Sequence, residues 1–377
     1  MAKRYPGGFI TATFKPLEPH GDNTSLYTFG YNTYGALGDN TVVKRSSPIQ
    51  VGALTTWSKI AGDHYHTIAT KTDGTLWTFG YNYYGQLGDN TVVYKSSPIQ
   101  VGALTTWYNI AGGRSHTIAT KTDGTLWTWG LNLFGQLGDN TQLHKSSPIQ
   151  VGALTTWSLV ACGEKHTIAT KTDGTLWLWG RNNYGQLGDS TNVYRSSPIQ
   201  VGALTTWSKI AGGGGSGHTI ATKTDGTLWT WGDGTYGQLG DNVLSPRYSP
   251  IQVGALTTWY LVAGGIYHTI ATKTDGTLWT WGRNNKGQLG DDTTVLRSSP
   301  IQVGALTTWS KIAGGGAHTI ATKTDGTLWL WGRNNAGQMG DNTVVDRSSP
   351  IQVGALTTWS LVACGNYHNI AIESEPF

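Results

Sequence analysis

The sequence predicts an all-β protein, a seven-bladed β-propeller of four-stranded antiparallel blades, on three observations. The block VGALTTW recurs from residues 51, 101, 151, 201, 253, 303 and 353. This period of about 50 residues is typical of stacked supersecondary units. Strand-favouring aromatic residues are abundant, with 18 Trp and 17 Tyr, and no stretch has the 3.6-residue period of a helix. Each repeat also contains four short strand-like segments separated by turn residues.

The four segments define one blade. In the first full copy they span residues 57–61, 66–72, 75–80 and 97–101. An Asp-Gly pair joins the second segment to the third, and this dipeptide favours a type I′ hairpin turn because both of its residues tolerate positive φ. Four antiparallel strands connected in sequence order form a propeller blade.

The number of blades follows from the histidine that opens the second strand of every copy. It occurs seven times, as His66, His116, His166, His218, His268, His318 and His368. The last copy ends without its third and fourth strands, whereas residues 25–30 and 47–51 match those two strands. We therefore expect the N-terminal strands to complete the last blade, which closes the ring and removes exposed sheet edges.

The predicted organisation is an N-terminal arm, residues 1–24, followed by the propeller, residues 25–377. The blades are predicted to start near residues 57, 107, 157, 207, 259, 309 and 359, with residues 25–51 completing the last one.

Composition argues against several classes of function. The net charge is only +4, and no Lys/Arg cluster is present, so specific nucleic-acid binding is not expected. No apolar stretch is long enough to span a membrane, and the N-terminus lacks the apolar segment of a secretory signal. Cys162 and Cys364 occupy the same position in the third and seventh copies, and we expect them to be buried apolar residues without a disulfide.

The repeated motif HTIA, then DGTLW, then WGxNxxGQLG resembles the regulator of chromosome condensation repeat. The resemblance extends over roughly residues 25–373 and implies a seven-bladed propeller. It does not imply one activity, because such propellers serve as a guanine-nucleotide exchange factor, a plant photoreceptor, ubiquitin-ligase modules and secreted inhibitors of β-lactamases.

The sequence fits these activities unequally. The exchange factor implies a wedge-like insertion in a blade, whereas the one insertion here is the glycine-rich GGGGSG at residues 212–217. The photoreceptor implies Trp just before the second-strand histidine, whereas this chain has Asp63-His64-Tyr65 and Arg114-Ser115 there. The inhibitor type, which binds its partner through loops on one face, fits best.

The copies differ mainly in three loop windows. One window is the loop between the first and second strands, and the other two are the start and the later part of the loop between the third and fourth strands. The Thr-Asp-Gly turns and the Gly-Ala-Leu-Thr-Thr segments are constant. In a meander the three variable windows lie at one end of the strands and the constant turns at the other. We therefore predict a disc with one variable face and one constant face.

The variable windows are rich in Tyr, Arg, Asn, Gly and Ser, which is typical of a binding paratope. Tyrosines dominate the early copies and arginines the late ones, so the face is predicted to grade from aromatic to basic. The predicted protein- or glycan-binding residues are Tyr31, Thr33, Tyr34, Asp63, His64, Tyr65, Tyr81, Tyr83, Tyr84, Tyr94, Arg114, Leu131, Phe134, Glu164, Lys165, Arg181, Tyr184, Tyr194, Tyr236, Ile266, Tyr267, Arg283, Lys286, Arg333, Asn366 and Tyr367.

Other patterns favour structural roles. Equivalent histidines in adjacent blades are too far apart to share a metal, so we expect them to make structural hydrogen bonds. The Gly-Asp-Asn runs lack the alternating oxygen ligands of a calcium loop and predict Asx-turns. No catalytic constellation is evident, so the sequence predicts a non-enzyme without metal or cofactor.

The leading hypothesis is a recognition propeller. Residues 2–10 resemble leaders of structural proteins of marine tailed phages, which implies a virion location and attachment to the particle through the arm. The alternative for the arm is a tail packed on the last blade through Phe9, Ile10 and Phe14. The alternatives for the whole protein are a structural decoration module and an inhibitor- or exchange-type interaction propeller.

Overall fold

The computed structural model describes residues 23–62, 64–215 and 217–374, which form a ring of seven four-stranded antiparallel sheets. The predicted seven-bladed propeller is confirmed. Over the same residues, no helix is long and apolar enough to cross a membrane.

The strands follow the repeat. The first six blades are β3 (Trp57–Gly62), β4 (His66–Lys71), β5 (Leu76–Gly80) and β6 (Lys95–Gln100); β7 (Trp107–Gly113), β8 (His116–Lys121), β9 (Leu126–Gly130) and β10 (Lys145–Gln150); β11 (Trp157–Cys162), β12 (His166–Lys171), β13 (Leu176–Gly180) and β14 (Arg195–Gln200); β15 (Trp207–Gly212), β16 (His218–Lys223), β17 (Leu228–Gly232) and β18 (Arg247–Gln252); β19 (Trp259–Gly264), β20 (His268–Lys273), β21 (Leu278–Gly282) and β22 (Arg297–Gln302); β23 (Trp309–Gly314), β24 (His318–Lys323), β25 (Leu328–Gly332) and β26 (Arg347–Gln352). The seventh blade combines β27 (Trp359–Cys364) and β28 (His368–Ser374) with β1 (Thr24–Gly30) and β2 (Arg45–Gln50).

The seventh blade closes the ring as expected. Its strand order is β2-β1-β28-β27, and β1 pairs with β28 from Thr24↔Ser374 to Gly30↔His368. Every backbone group along this shared edge therefore has a sheet partner. The expectations for residues 1–22, including packing through Phe9, Ile10 and Phe14, lie outside the described residues.

The apolar core lies between adjacent blades. In one cluster Ile68 and Leu76 of the first blade pack against Trp107, Ala119 and Trp129 of the second. All five are nearly inaccessible to solvent, and burial of each large side chain contributes roughly 1.5–3 kcal/mol. Equivalent clusters recur around the ring, so the strand tryptophans join the blades.

A second inter-blade contact is a hydrogen-bonded ring of the second-strand histidines. His116 Nε2 lies 3.1 Å from the Thr167 hydroxyl of the next blade, and that hydroxyl donates to the Gln136 carbonyl at 2.7 Å. A hydroxyl has one proton, so a threonine that donates to the carbonyl must accept from the histidine. Each such histidine therefore carries a proton on Nε2.

The one exception among the threonines supports this assignment. At that position the seventh blade has Asn369, whose Oδ1 lies 3.0 Å from His318 Nε2 and whose Nδ2 donates to the Gln338 carbonyl at 2.7 Å. The amide accepts and donates through different atoms, so His318 again supplies the Nε2 proton. The expected structural role of the histidines is observed, and His368 with Thr67, 3.0 Å apart, completes the ring.

The Gly-Asp-Asn runs form Asx-turns that hold one blade to the next. Asp39 Oδ1 accepts from the Thr41 amide at 3.0 Å, while Asp39 Oδ2 lies 2.6 Å from Arg45. Asn40 adopts a left-handed φ of 60° and donates its amide to the Ser96 carbonyl of the next blade at 2.8 Å. The equivalent amide makes this bond in every blade, and the donor is Asn in five of them.

We predict that Ser190→Asn stabilises the propeller. Ser190 has a φ of 62° at the position where most blades have Asn. Asn populates left-handed conformations more readily than Ser, so we expect a gain of about 0.5 kcal/mol in the free energy of unfolding, measured by urea denaturation. Asn90→Ser is the matched control and should lose a similar amount; unchanged stability in both variants would contradict the prediction.

We also predict that stability falls steeply as the pH drops from 6.5 towards 4. Burial lowers the pKa of His116, His166, His268 and His368 to about 3 and that of His218 and His318 to about 4. Unfolded histidines have a pKa near 6.5, so the unfolded chain takes up protons that the folded chain excludes. The stabilisation is complete above pH 6.5 and is lost as the pH falls towards the folded pKa values.

Each such histidine contributes a slope of up to about 1.4 kcal/mol per pH unit. The measurement is urea denaturation at a series of pH values between 7 and 4. The lowered pKa values of aspartates such as Asp39 and Asp73 destabilise the fold in the same direction below about pH 5, so the histidine slope is taken between pH 6.5 and 5. A slope corresponding to less than one proton would refute the prediction.

Candidate functional site

The structure brings the variable loops together at one end of the ring. In the seventh blade the Tyr31 amide, at the start of the β1–β2 loop, donates to the Tyr367 carbonyl in the β27–β28 loop at 2.9 Å. The same bond joins Arg181 to Lys165 at 2.9 Å in the third blade. The two kinds of variable loop therefore meet in a fixed register within each blade.

Tyrosines from two adjacent blades, the seventh and the first, pack into one cluster. The Tyr34 ring lies 5.0 Å from Tyr65 and 4.9 Å from Tyr81, both in edge-to-face geometry. Tyr65 stacks on Tyr367 at 5.8 Å, and Tyr81 lies 4.9 Å from Tyr94. We call the set the tyrosine cluster; it comprises Tyr31, Tyr34, Tyr65, Tyr81, Tyr94 and Tyr367.

Packing changes the chemistry of the cluster. Burial, followed by the neighbouring phenols, raises the pKa of Tyr65 to about 12, and burial also raises the pKa of Tyr81. Both phenols are therefore neutral at physiological pH. Tyr83 stacks on Tyr81 from the solvent side and remains 60% exposed, so it is the ring most available to a partner.

The late-copy arginines stack on aromatic rings. Arg283 lies 5.0 Å from the Tyr236 ring and 5.5 Å from the Tyr267 ring, and Arg333 lies 5.4 Å from Tyr367. The arginines of the late copies are therefore interleaved with aromatic rings. Stacking over tyrosine leaves the guanidinium edge available for hydrogen bonds.

A second group of charged residues, separate from the late-copy arginines, lies on the second and third blades. Glu164 Oε1 is 2.5 Å from Arg114 and 3.6 Å from Lys165. Lys165 and Arg181 lie 5.4 Å and 5.7 Å from the Phe134 ring, and Arg181 is also 5.9 Å from Tyr184. The Glu164 carboxylate therefore contacts two of the three cations in this group, Arg114 and Lys165.

Between the tyrosine cluster and these cations is a cavity of about 300 Å³. It is lined by Tyr34, His64, Tyr65, Tyr81, Tyr84, Arg114, Ser115, Leu131, Leu133, Phe134 and Lys165. A second cavity, of about 290 Å³, is the central channel, which is lined mainly by repeated Ile, Val, Ala and Gly of the first strands. The first cavity has no such repetition.

The remaining predicted residues differ in accessibility. Leu131 is 5% exposed and Asn366 8% exposed, with the Asn366 amide 2.8 Å from a His64 ring nitrogen, so neither side chain offers contact area. Tyr194 is 42% exposed and lies 5.5 Å from Phe134. The positions of the others are plain: Thr33 is exposed, Ile266 is half-buried at the channel mouth, Lys286 pairs with Asp346 at 3.2 Å, and Asp63 lies outside the described residues.

Loop comparison overlooked variation in the first strands. Their second, third and fourth residues vary, and the copies read WSKIA, WYNIA, WSLVA or WYLVA. The structure places this variation at the hairpin end of the ring, opposite the variable loops, because Trp57 pairs with Lys71. Tyr108 is 46% exposed there, with Lys59 3.6 Å above its ring. Burial lowers the pKa of Lys59 to about 8. Aligning the first strands of the seven copies would have revealed this variation.

Neither a cluster of metal ligands nor a disulfide bond between the two cysteines occurs in the described residues. Within residues 23–62, 64–215 and 217–374, no group of three or more His, Cys, Asp or Glu side chains could hold a metal ion. Cys162 and Cys364 are not joined by a disulfide, and burial raises the pKa of Cys364.

Comparisons with known proteins define the class. The family profile of the RCC1-like domain matches residues 20–259, and two profiles of the regulator of chromosome condensation (RCC1) repeat match residues 275–322 and 325–372, and residues 261–288 and 309–338. The first match alone covers more than half of the chain. The chain therefore belongs to the RCC1-like family of β-propellers.

Solved structures agree on the fold. Human WBSCR16 is 22% identical with a TM-score of 0.84, covering 94% of this chain and 100% of that chain. Prp20p from Saccharomyces cerevisiae is 19% identical with a TM-score of 0.84, covering 95% and 93%. A chain in the structure of Kap60 bound to yeast RCC1 (Prp20) is 18% identical with a TM-score of 0.85, covering 100% and 95%. At these identities the likeness establishes the fold alone. Comparison with curated protein sequences gave no match.

We predict that Tyr65 ionises about two pH units later than an exposed tyrosine, because its pKa is about 12 and the ordinary value is about 10. Alkaline titration followed by ultraviolet absorbance would show a late phase that Tyr65→Phe removes. The matched control, Tyr260→Phe, changes a tyrosine that is 53% exposed at the other end of the ring and should leave the late phase in place. Identical titration curves for the two variants would contradict the burial of Tyr65 in the tyrosine cluster.

Proposed function

We propose that this protein is a non-enzymatic recognition propeller that binds a protein partner through its variable face. The supporting observation is that the loop residues in which the repeats differ meet at one end of the ring and surround a cavity. Loops on a rigid scaffold can be diversified without loss of the fold. The side chains they present, Tyr with Arg, are those that most often dominate binding energy.

The charge of the face favours an acidic partner. In each blade one aspartate of the long loop pairs with an Arg or Lys, as Asp39 does with Arg45, so these charges cancel. Arg181, Arg283 and Arg333 instead rest on aromatic rings. Cations in this setting can pair with carboxylates of a partner and speed association at low salt.

The apolar surroundings of the face favour a protein over a glycan. Val92 and Val93 are 58% and 60% exposed, Leu133 is 53% exposed and Leu143 is 67% exposed, all within or beside the variable windows. Protein partners cover such groups with their own apolar side chains, whereas sugar hydroxyls would be left without hydrogen bonds. The structure of Prp20p concerns binding to Gsp1p and histones, which is consistent with a protein-binding role for a propeller of this fold.

A tether at the opposite end would leave this face open. The Thr24 amide, at the start of β1, donates to the Thr55 carbonyl at 2.7 Å, and Thr55 lies in a constant segment at the other end of the ring. Attachment to a particle through residues 1–24, as the leader resemblance suggests, would therefore point the variable face outwards. A virion location for the protein rests on that resemblance.

The test compares two double variants with matched chemistry. Tyr83→Ala with Leu133→Ala removes side chains that are 60% and 53% exposed on the variable face. Tyr260→Ala with Leu256→Ala removes side chains that are 53% and 48% exposed at the other end. We expect the first variant to lose binding at least about tenfold, to peptides selected from a random display library on the wild-type chain, and the second to retain it.

Both variants should unfold within about 0.5 kcal/mol of the wild type, because exposed substitutions rarely cost more. Equal binding by the variable-face variant, or loss only in the control, would refute the proposed function. It would favour a decoration module whose loops make no specific contact. A glycan array run in parallel would show whether a saccharide is the ligand instead.

A further inference from the structure

The cavity on the variable face has a composition that occurs only once in the ring. All of its lining residues come from the variable windows, on loops of the seventh, first, second and third blades. The central channel, in contrast, is lined mainly by repeated residues. The cavity therefore owes its shape to departures from the repeat, and it is the natural place for a ligand that breaks the sevenfold symmetry of the scaffold.

Its walls and floor suit an apolar or aromatic group. Tyr34, Tyr81, Tyr84 and Phe134 line the cavity, and Tyr34 and Tyr81 also belong to the tyrosine cluster. Leu131 borders the cavity but is only 5% exposed, so it adds little contact area. Aromatic side chains give large contact area at small entropic cost, because each has only two rotatable side-chain bonds.

Its far side is positively charged. Arg114 and Lys165 line the cavity, and both contact the carboxylate of Glu164, whose side chain is 10% exposed. Arg181 adds a third cation beside Phe134, and its Nε is buried without a hydrogen-bond partner. Among the described residues of this group the balance is three cations to one anion.

The imidazole of His64 responds to this field. Burial, followed by the charges of Arg114 and Lys165, lowers its pKa to about 3. The two cations therefore disfavour a further positive charge in the cavity.

We propose that this cavity binds an acidic side chain together with an adjacent aromatic or aliphatic side chain, both from one exposed segment of the protein partner. The inference rests on the proposed function and names the anchor of that interface. The carboxylate would lie towards Lys165 and Arg114, and the apolar neighbour would pack against Phe134 and Tyr84.

An acidic sugar is less favourable for this site. Its ring hydroxyls would need acceptors, and Glu164 already accepts from two cations. The rim is apolar, with Leu133 53% exposed and Tyr83 60% exposed. Hydroxyls buried against that rim would lose their hydrogen bonds to water without replacement.

The experiment selects linear peptides from a random display library on the full chain and measures their affinity by fluorescence polarisation. The selected sequences should pair Asp or Glu with an aromatic or aliphatic residue. Lys165→Gln should weaken binding about tenfold, as for removal of one partner of a charge pair in a largely desolvated site, and Phe134→Ala should weaken it comparably. A peptide with Asp→Asn or Glu→Gln should lose the same factor on the wild-type chain and little on Lys165→Gln.

Two variants separate this effect from general damage. Lys59→Gln makes the same change of charge at the opposite end of the ring, where the ammonium lies 3.6 Å from the Tyr108 ring, and should bind normally. Glu164→Gln removes the competing carboxylate and should keep or raise the affinity for acidic peptides, which a merely structural effect would not do.

The outcomes are distinct. Selected peptides without an acid, or indifferent to both Lys165→Gln and Phe134→Ala, overturn the cavity inference. If those peptides still depend on Tyr83 and Leu133, the proposed function survives; if they do not, both fail. Binding of methyl glucuronoside at the cavity, without any acidic peptide, would also overturn the inference and assign the site to a saccharide.

Discussion

The hydrogen bond from each second-strand histidine to the next blade is the constraint on which the rest of the structure depends. His116 donates to Thr167, and Thr167 donates to the Gln136 carbonyl in the long loop of the second blade. The bond thus joins two blades and the root of a variable loop. A single hydrogen bond of this kind contributes about 1 kcal/mol, but a buried partner left unsatisfied costs about 1–3 kcal/mol. Because every blade makes it, a shift of one blade would disrupt its neighbours as well.

This fixed framework explains how the loops could diverge. The Asx-turn and its left-handed residue hold each long loop against the next blade, as Asn40 does with Ser96, through backbone atoms and a few repeated side chains. The exposed side chains of the same loop take no part in these bonds. Substitutions such as Tyr83 and Leu133 therefore change the surface without disturbing the register. The aromatic and cationic residues then pack on one another, which gives the face its own internal order.

Much of the fold could be predicted because its determinants are local and repeated. The Asp-Gly hairpins, the second-strand histidines and the displaced strand pair at residues 25–51 sufficed to predict the blades and their closure. The hairpin turns are not the expected type I′, because only their glycine has positive φ, as at Gly74. The candidate site was harder. The stacking of Arg283 and Arg333 on tyrosines was not predicted, because side-chain stacking has no signature in loop parity. The varied first strands, including Tyr108, were visible in the sequence but were overlooked.

The sequence by itself determined the number of blades, the closure of the ring and which loops share an end of it, because strand alternation and turn type act within a few residues. Only the tertiary structure decided which of the varied residues lie together. Tyr34 and Lys165 line one cavity although more than a hundred positions separate them, and Leu131 and Asn366 turn inwards although they occupy variable windows. These relations depend on the curvature of the ring and on side-chain rotamers, neither of which is encoded in a pattern within one repeat.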